Sequence, residues 1–180
     1  VYDMAAYPKT LSGKTVADYV NTHTDLSDEL YREGKLVSDN YKNILRSQTN
    51  AAAIPADVTV RYGVTVRRAN LRNLPTGEGL FFYASDRNFD ALQETALDPG
   101  EAVAILHTST NGYFYYVQAY NYRGWLSKFD VAETDRSTWL RYAEPKNFLT
   151  VVAKDYTLKA DGAQVLFQQG ARLQLADKKA

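Results

Sequence analysis

The spacing of apolar residues divides the chain into a helical first part and a β-rich remainder. Before residue 58, apolar side chains recur every three or four positions, which is the period of a helix with one buried face. From Val58 to Val66, apolar residues alternate mostly with Thr and Arg, which is typical of a strand with one face in the core. We therefore expect a small helical region followed by an all-β domain.

Three short helices are predicted in the N-terminal region. A Thr-x-x-Asp sequence at residues 15–18 marks the start of the first helix. Asp25 can cap a second helix, which Gly34 would end in the left-handed conformation. Ser38 or Asp39 can cap a third. The residues expected to form the apolar faces of these helices are Val16, Tyr19, Val20, His23, Leu26, Leu30, Tyr41, Ile44 and Leu45.

The β region contains a strong hairpin signal. Asn111-Gly112 joins the apolar segment 102–107 to the tyrosine-rich segment 113–119, and this dipeptide favours a tight turn. A further turn leads to Trp125-Leu126, the last short strand. A tyrosine buries its ring while its hydroxyl stays in water. We therefore interpret the tyrosines of residues 113–122 as strand packing in preference to a carbohydrate- or peptide-binding surface.

A long irregular stretch at residues 71–97 separates the first strand from this hairpin. Such a loop inside a small domain is usually functional or packed on itself. Strand, long loop, hairpin, short turn and strand is the order of elements in an SH3 barrel. We predict a helical N-terminal cap at residues 1–57 and an SH3-like barrel at residues 58–144.

A second, weaker β pattern follows the predicted barrel. Leu149-Thr-Val151, followed by Tyr156 and Leu158, resembles Val64-Thr-Val66 followed by Leu71. Residues 145–180 supply only about half the length that strand and loop sizes imply for a barrel. We predict a partial second SH3-like module there, and an α+β fold class for the chain as a whole.

Composition and charge exclude several function classes. Lys plus Arg and Asp plus Glu number 21 each, so nothing in the balance favours nucleic acid or an anionic membrane. No apolar run approaches the ~20 residues that span a bilayer. The chain has no cysteine and two histidines, which excludes a thiol nucleophile and argues against zinc. We expect no cofactor, no metal site, no nucleic-acid partner and no membrane span.

Several motifs together carry a resemblance to a known family. Residues 64–76, with the sequence VTVRRANLRNLPT, resemble the opening of the bacterial SH3 domain of NlpC-type cell-wall peptidases. The motifs Asn88-Phe-Asp90, residues 107–112 (HTSTNG) and Tyr122-Arg-Gly-Trp125 are similar to the same domain. Residues 40–62 resemble the helical N-terminal region of these enzymes, and the second β segment lies where a second SH3 domain begins in them.

The resemblance implies a periplasmic or secreted protein of the cell envelope. Enzymes of this family cut the γ-D-glutamyl to diamino-acid bond of peptidoglycan peptides with a C-terminal papain-like domain. Their chemistry requires a thiolate activated by a histidine, and this chain contains no cysteine. We therefore expect no catalytic residue here. The implied partners are the peptidoglycan stem peptide and a papain-like catalytic domain, either C-terminal to this chain or in trans.

The long loop is where the resemblance places substrate contacts. In such enzymes the corresponding loop of the first SH3 domain helps to shape the substrate pocket, a role that would fall on residues 80–90. The expected substrate-binding residues are Tyr83, Asp86, Asp90, Tyr122 and Trp125.

Each of these residues also has a plainer interpretation. Asp86 and Asp90 are four residues apart and could form a glycosidase pair, but we favour loop capping. Trp125 is either a barrel-closing core aromatic, which we favour, or a wall of the binding groove. Arg67, Arg68 and Arg72 form a basic patch that we expect to be a solvated strand face and not an RNA-binding surface. We expect His107 to hydrogen-bond the turn beside it.

Two functions remain open from the sequence. The first is a peptidoglycan-peptide binding and positioning module of a cell-wall endopeptidase whose catalytic domain is absent from this chain. The second is a stand-alone SH3-type protein interaction module in the periplasm. The downstream reading frame would discriminate between them, because the first requires a cysteine-containing papain-like domain.

Overall fold

In the computed structural model, which describes residues 1–22 and 25–175, each α-helix begins at a capping side chain. Ser12 caps α1 (Gly13–Asn21), Ser38 caps α2 (Asp39–Ser47), and Asp135 caps α3 (Arg136–Ala143) by accepting a backbone N–H from the helix. α1 and α2 confirm the first and third predicted helices, with α1 starting two residues before Thr15. His23 lies outside the described residues. α3 was not predicted.

The second predicted helix is wrong. Residues 25–30 have no regular structure, and a two-stranded hairpin follows, β2 (Tyr31–Arg32) and β3 (Lys35–Leu36). Glu33 and Gly34 form its turn with φ angles of 52° and 80°. Gly34 therefore supplies a left-handed conformation to a hairpin and not to a helix end. Leu26 and Leu30 are buried by distant leucines rather than along a helix face.

Strands make up most of the remaining regular structure. They are β1 (Thr10–Ser12), β4 (Asp57–Thr59), β5 (Arg61–Thr65), β6 (Ala69–Arg72), β7 (Gln93–Leu97), β8 (Ala102–Thr108), β9 (Phe114–Gln118), β10 (Arg123–Ser127), β11 (Val131–Thr134), β12 (Phe148–Thr150), β13 (Asp155–Ala160), β14 (Ala163–Gln168) and β15 (Arg172–Gln174). These bounds confirm the predicted hairpin at Asn111-Gly112 and the last strand at Trp125-Leu126. The predicted first strand is divided at Val60 into β4, which pairs with β1, and β5, which belongs to a larger sheet. β1 was not predicted.

The centre of the fold is an antiparallel seven-stranded sheet in the order β11-β5-β8-β9-β10-β6-β7. Leu71, Val103, Ile105, Val117 and Leu126 form its inner core and are almost completely buried. Val103 and Ile105 reach this core together because every second residue of a strand faces the same side. Val58, Val60 and Val64, from the alternation noted in the sequence, belong to a second cluster. The α+β class with a dominant β domain is confirmed.

α1 and α3 pack on the outer side of the same sheet. Val16 and Val20 of α1 and Trp139 of α3 join one cluster with Val64 and Ala104. Trp139 is fully buried and donates its indole N–H to the Val103 carbonyl at 3.0 Å. The ring also lies 4.8 Å from that of Tyr62. α3 is thereby fixed to the sheet directly after its last strand.

The C-terminal segment forms two small antiparallel pairs, β12 with β15 and β13 with β14. Asp161-Gly162 is the turn of the second pair, with both residues at positive φ. Val151, Phe167 and Ala171 form a small separate cluster. The boundaries proposed at residues 57 and 144 stay a prediction.

Candidate functional site

The long loop between β6 and β7, residues 73–92, is anchored to the N-terminal region. The backbone groups of Tyr31 and Phe81 exchange two hydrogen bonds of 2.7 and 2.9 Å. Leu74, Leu80 and Leu92 are almost completely buried in the loop's own core. That core also contains Leu26, Leu30, Val37 and Leu45 of the N-terminal region. The loop is therefore packed on itself and against the preceding segment.

A nearly buried ion pair closes the base of the loop. Arg72 lies at the end of β6 and contacts Asp90 at 2.7 Å, with side chains 6% and 17% exposed. Arg72 also donates to the Glu78 carbonyl at 2.6 Å. The other carboxylate oxygen of Asp90 accepts the backbone N–H groups of Leu80 and Leu92. Asp90 thus has the loop-capping role that the sequence favoured, with an arginine partner added.

The burial of Arg72 corrects its expected place on a solvated strand face. The residue is 5% exposed. Its pairing with β7 is irregular, since the register shifts between Leu71 and Arg72. Such an irregularity breaks the simple alternation of strand faces, and Asp90 compensates the buried charge.

Glu78 connects the loop to the N-terminal region through a second polar group. Its carboxylate forms an ion pair with Arg32 at 2.8 Å and accepts a hydrogen bond from the Tyr41 hydroxyl. Burial, together with this carboxylate, raises the pKa of Tyr41 to about 12. Tyr41 therefore stays a neutral donor at ordinary pH.

The tip of the loop presents aromatic rings to solvent beside a carboxylate. Phe82, Tyr83 and Phe89 are 49%, 71% and 77% exposed. Asp86 accepts the Asn88 N–H at 2.8 Å and the Phe89 N–H at 3.3 Å. These backbone donors lower the pKa of Asp86, first among them the Asn88 N–H. The tip therefore offers a fixed anion between exposed rings, which suits a ligand with an ammonium group and apolar parts.

The five residues expected from the sequence fall in different places. Tyr83 and Asp86 lie at the loop tip, and Asp90 lies at its base. Tyr122 lines a separate cleft with Tyr2, Tyr19 and Arg123. Trp125 is fully buried, with its ring 5.2 Å from that of Tyr116 and 6.3 Å from that of His107. The loop tip is where two of the five are accessible together.

His107 joins the barrel to the N-terminal region. Its Nε2 is 3.0 Å from the Asn50 carbonyl oxygen, so its partner lies in the preceding region and not in the adjacent turn. Burial lowers the pKa of His107. The Nε2–H donates to the carbonyl as a neutral imidazole.

The described ranges, 1–22 and 25–175, contain neither a metal-binding cluster nor a membrane-spanning helix. No group of three or more His, Asp or Glu side chains is close enough to hold a metal ion there. Within the same ranges, no helix combines the length and apolar character needed to cross a bilayer.

Sequence reasoning missed three polar residues that the fold brings together. Glu94, Asn121 and Arg123 line the cleft that contains Tyr122. Glu94 lies on β7. Asn121 and Arg123 are 27 and 29 positions further along the chain, in the β9–β10 turn and at the start of β10. The one available signal was that Arg123 has no acidic neighbour in the sequence. An arginine beside tyrosines with no such neighbour favours a partner from a distant part of the chain.

Comparison with known proteins supports the SH3 assignment. Residues 80–127, from Leu80 in the long loop to the end of β10, match the family model of the SH3 domain of SH3b1 type. No curated protein sequence matches the chain.

One similar solved structure is described as a novel NlpC/P60 endopeptidase from Photobacterium damselae subsp. piscicida. The two share 20% sequence identity with a TM-score of 0.70 over 92% of this chain. The chain covers 38% of that protein's length, and the likeness concerns the fold. These findings confirm the resemblance drawn from the motifs: the chain contains an SH3 domain of the SH3b1 type and has the fold of part of an NlpC/P60 endopeptidase.

Proposed function

We propose that the chain is a cell-wall-associated module that binds and positions a peptidoglycan stem peptide for a cysteine endopeptidase. The SH3 domain of SH3b1 type and the fold shared with part of an NlpC/P60 endopeptidase support this proposal. The observation that carries it is the loop tip, where Tyr83 is exposed and Asp86 is partly exposed on a loop that is anchored at its base. The place of action is the periplasm or the cell exterior.

The loop tip divides recognition between two kinds of contact. The Asp86 carboxylate pairs with a peptide ammonium group, and its backbone donors keep it ionised. The Tyr83 ring, 71% exposed, stacks on the apolar part of the peptide. Asp90 and Arg72 act as positioning residues, because their ion pair fixes the base of the loop. Trp125 supports the barrel from within.

The catalytic partner must supply the nucleophile. The chain has no cysteine, so a papain-like domain, C-terminal to this chain or in trans, provides the thiolate. A rigid loop held against such a domain would form one wall of its cleft. Correct placement of a peptide bond is worth several kcal/mol of the reaction barrier.

The experiment is binding of the stem tripeptide L-Ala-γ-D-Glu-meso-diaminopimelate, followed by NMR chemical shifts. We expect the largest shifts at residues 81–89. Tyr83→Ala and Asp86→Asn should each weaken binding by about tenfold, the loss expected for one aromatic or charge-assisted contact. Tyr156→Ala is the matched control, since this tyrosine is likewise exposed, at 50%, and lies in the C-terminal hairpin.

Two results would contradict the proposal. One is that the tripeptide causes no chemical-shift changes and that the chain is not retained on purified sacculi. The other is tight binding of a periplasmic protein that competes at the loop tip, which would favour the stand-alone interaction module.

A further inference from the structure

A second cleft, of about 250 Å³, lies between the N-terminal segment, α1 and the β9–β10 turn. It contains none of the loop-tip residues. Its volume is below the ~300–1,000 Å³ of pockets that hold drug-sized ligands, so its occupant is small. The residues that line it are Tyr2, Tyr19, Thr22, Glu94, Tyr116, Asn121, Tyr122 and Arg123.

Arg123 brings an uncompensated positive charge to this cleft. Its guanidinium carbon lies 3.6 Å from the Tyr19 ring centroid, and Nη2 donates to the Tyr2 hydroxyl at 3.1 Å. Over residues 1–22 and 25–175, no carboxylate lies within ion-pair distance of Arg123. Its Nη1 is buried and makes no hydrogen bond in that part of the chain. A buried, unsatisfied cationic donor is costly, so a ligand acceptor there would be favoured.

The tyrosines around Arg123 do not neutralise it. Burial raises the pKa of Tyr7 to about 12 and raises that of Tyr116 as well, although Arg123 opposes both shifts. These phenols are therefore neutral at ordinary pH. The rings orient the guanidinium and cover its face, but its charge stays available to an anion.

The same cleft contains a free carboxylate and a free amide oxygen. Glu94, on β7, forms neither an ion pair nor a side-chain hydrogen bond with any residue that the structure describes. The buried Oδ1 of Asn121 likewise has no hydrogen-bond donor among those residues. The cleft thus holds a guanidinium, a carboxylate and a carbonyl-type acceptor whose bonding capacity is unused.

We propose that this cleft binds an α-amino-acid group in its zwitterionic form. The ligand carboxylate pairs with the Arg123 guanidinium, and the ligand ammonium donates to the Glu94 carboxylate. Glu94 and Arg123 line the same cleft, and within the part of the chain that the structure describes they form no ion pair with each other, so a zwitterion satisfies both. This site is independent of the proposed peptide contact at the loop tip, because the two share no residue.

The test is NMR titration of the whole chain with D-alanine and L-alanine, with N-acetyl-alanine, and with alanine methyl ester. Each derivative lacks one of the two charges. We expect at least one alanine enantiomer to shift the resonances of Glu94, Asn121 and Arg123. We expect each blocked derivative of that enantiomer to bind about tenfold weaker or worse, the loss of one charge-assisted hydrogen bond.

Variants identify the protein groups. Glu94→Gln should weaken alanine binding by about tenfold and leave N-acetyl-alanine binding unchanged. Arg123→Gln should weaken the binding of alanine and leave the binding of alanine methyl ester unchanged. Because Arg123 stacks on Tyr19, its replacement could disturb the fold, whereas Glu94 makes no internal contact of that kind and keeps the test decisive. Glu144→Gln, the same change at an exposed carboxylate outside the cleft, is the control and should have no effect.

Free amino acids and a diamino-acid residue of a peptide can present the same group. Titration with meso-diaminopimelate alone and with the stem tripeptide distinguishes these sources. If the chain prefers meso-diaminopimelate or the stem tripeptide, and Glu94→Gln loses that binding, the result supports the proposal and identifies the source. Equal binding of alanine and its blocked derivatives, or titration without shifts at the cleft, would overturn the proposal even if the loop tip binds the tripeptide.

Discussion

Arg72 and Asp90 form a 2.7 Å ion pair that joins the end of a strand to the end of the long loop, 18 residues later. The pair fixes the loop from inside, because Asp90 also accepts two backbone N–H groups from the loop. It explains how a loop of this length can present exposed rings in a defined position. The contribution of this ion pair to the free energy of unfolding can be measured.

Asp90→Ala should lower the free energy of unfolding by about 3–5 kcal/mol, because it leaves the buried Arg72 charge without a partner. Urea denaturation of the whole chain measures this change. Glu133→Ala is the matched control, since its pair with Arg61 is about two-fifths exposed on both sides and is worth about 0–1 kcal/mol. Equal losses of unfolding free energy in the two variants would contradict the prediction. They would show that burial of the ion pair does not make Asp90 more important for stability than Glu133.

His107 should make stability depend on pH. Burial lowers its pKa in the folded chain below the usual ~6.5, although hydrogen bonds to the Asn50 and Thr49 backbone oppose this shift and only the Arg61 charge adds to it. As the pH falls below about 6.5, the unfolded chain binds a proton first, so the folded state loses stability until the folded pKa is reached. His107→Gln removes this contribution. The difference in urea midpoint between wild type and His107→Gln should change over that window and be flat above it; a flat difference throughout would contradict the prediction.

Gly13 lets the start of α1 approach the chain at Pro55. A Cβ placed on Gly13 would lie 1.8 Å from the Pro55 carbonyl oxygen, whereas one on Gly77 meets nothing within 4 Å. Gly13→Ala should destabilise by about 1–3 kcal/mol through the forced backbone shift, and Gly77→Ala should be neutral within about 0.5 kcal/mol. Thermal unfolding of both variants compares them directly. A stable Gly13→Ala would mean that α1 moves away at little energetic cost.

Trp139 should be the residue on which α3 most depends. Trp139→Ala should cost about 3–5 kcal/mol, since it empties a fully buried site and leaves the Val103 carbonyl without its donor. Trp139→Phe should cost less, because it keeps part of the packing. Phe129→Ala, a change at a ring 60% exposed, is the control for loss of an aromatic side chain. Urea denaturation ranks the three variants, and a small loss in Trp139→Ala would refute this role.

Local patterns predicted much of the fold because they act within a few residues. Val58 to Val66 alternates, and Val58 of β4, Val60 between the two strands and Val64 of β5 lie in the core. Asn111-Gly112 fixes a turn whatever surrounds it, and Gly112 has a φ of 71°. Ser38 begins a helix through a bond that spans three residues. Each signal needs only neighbouring positions.

The predictions that failed depend on partners far away in the chain. Leu26 and Leu30 have helical spacing, but Leu74, Leu80 and Leu92 bury them without a helix. Arg72 looked solvated because Asp90, which compensates its charge, belongs to the end of the loop.

The same distinction between local signals and distant partners applies to the candidate sites. By itself, the sequence determined the SH3 order of elements, the long loop and the exclusion of a thiol nucleophile, because composition and short-range spacing are sufficient for these. Only the tertiary structure decided that Tyr83 and Asp86 are accessible, that Trp125 is buried, and that Glu94 meets Arg123 in one cleft. Side chains from distant segments meet there because the sheet's hydrogen bonding brings β7 beside β10 through β6, and that pairing leaves no signature at either position alone.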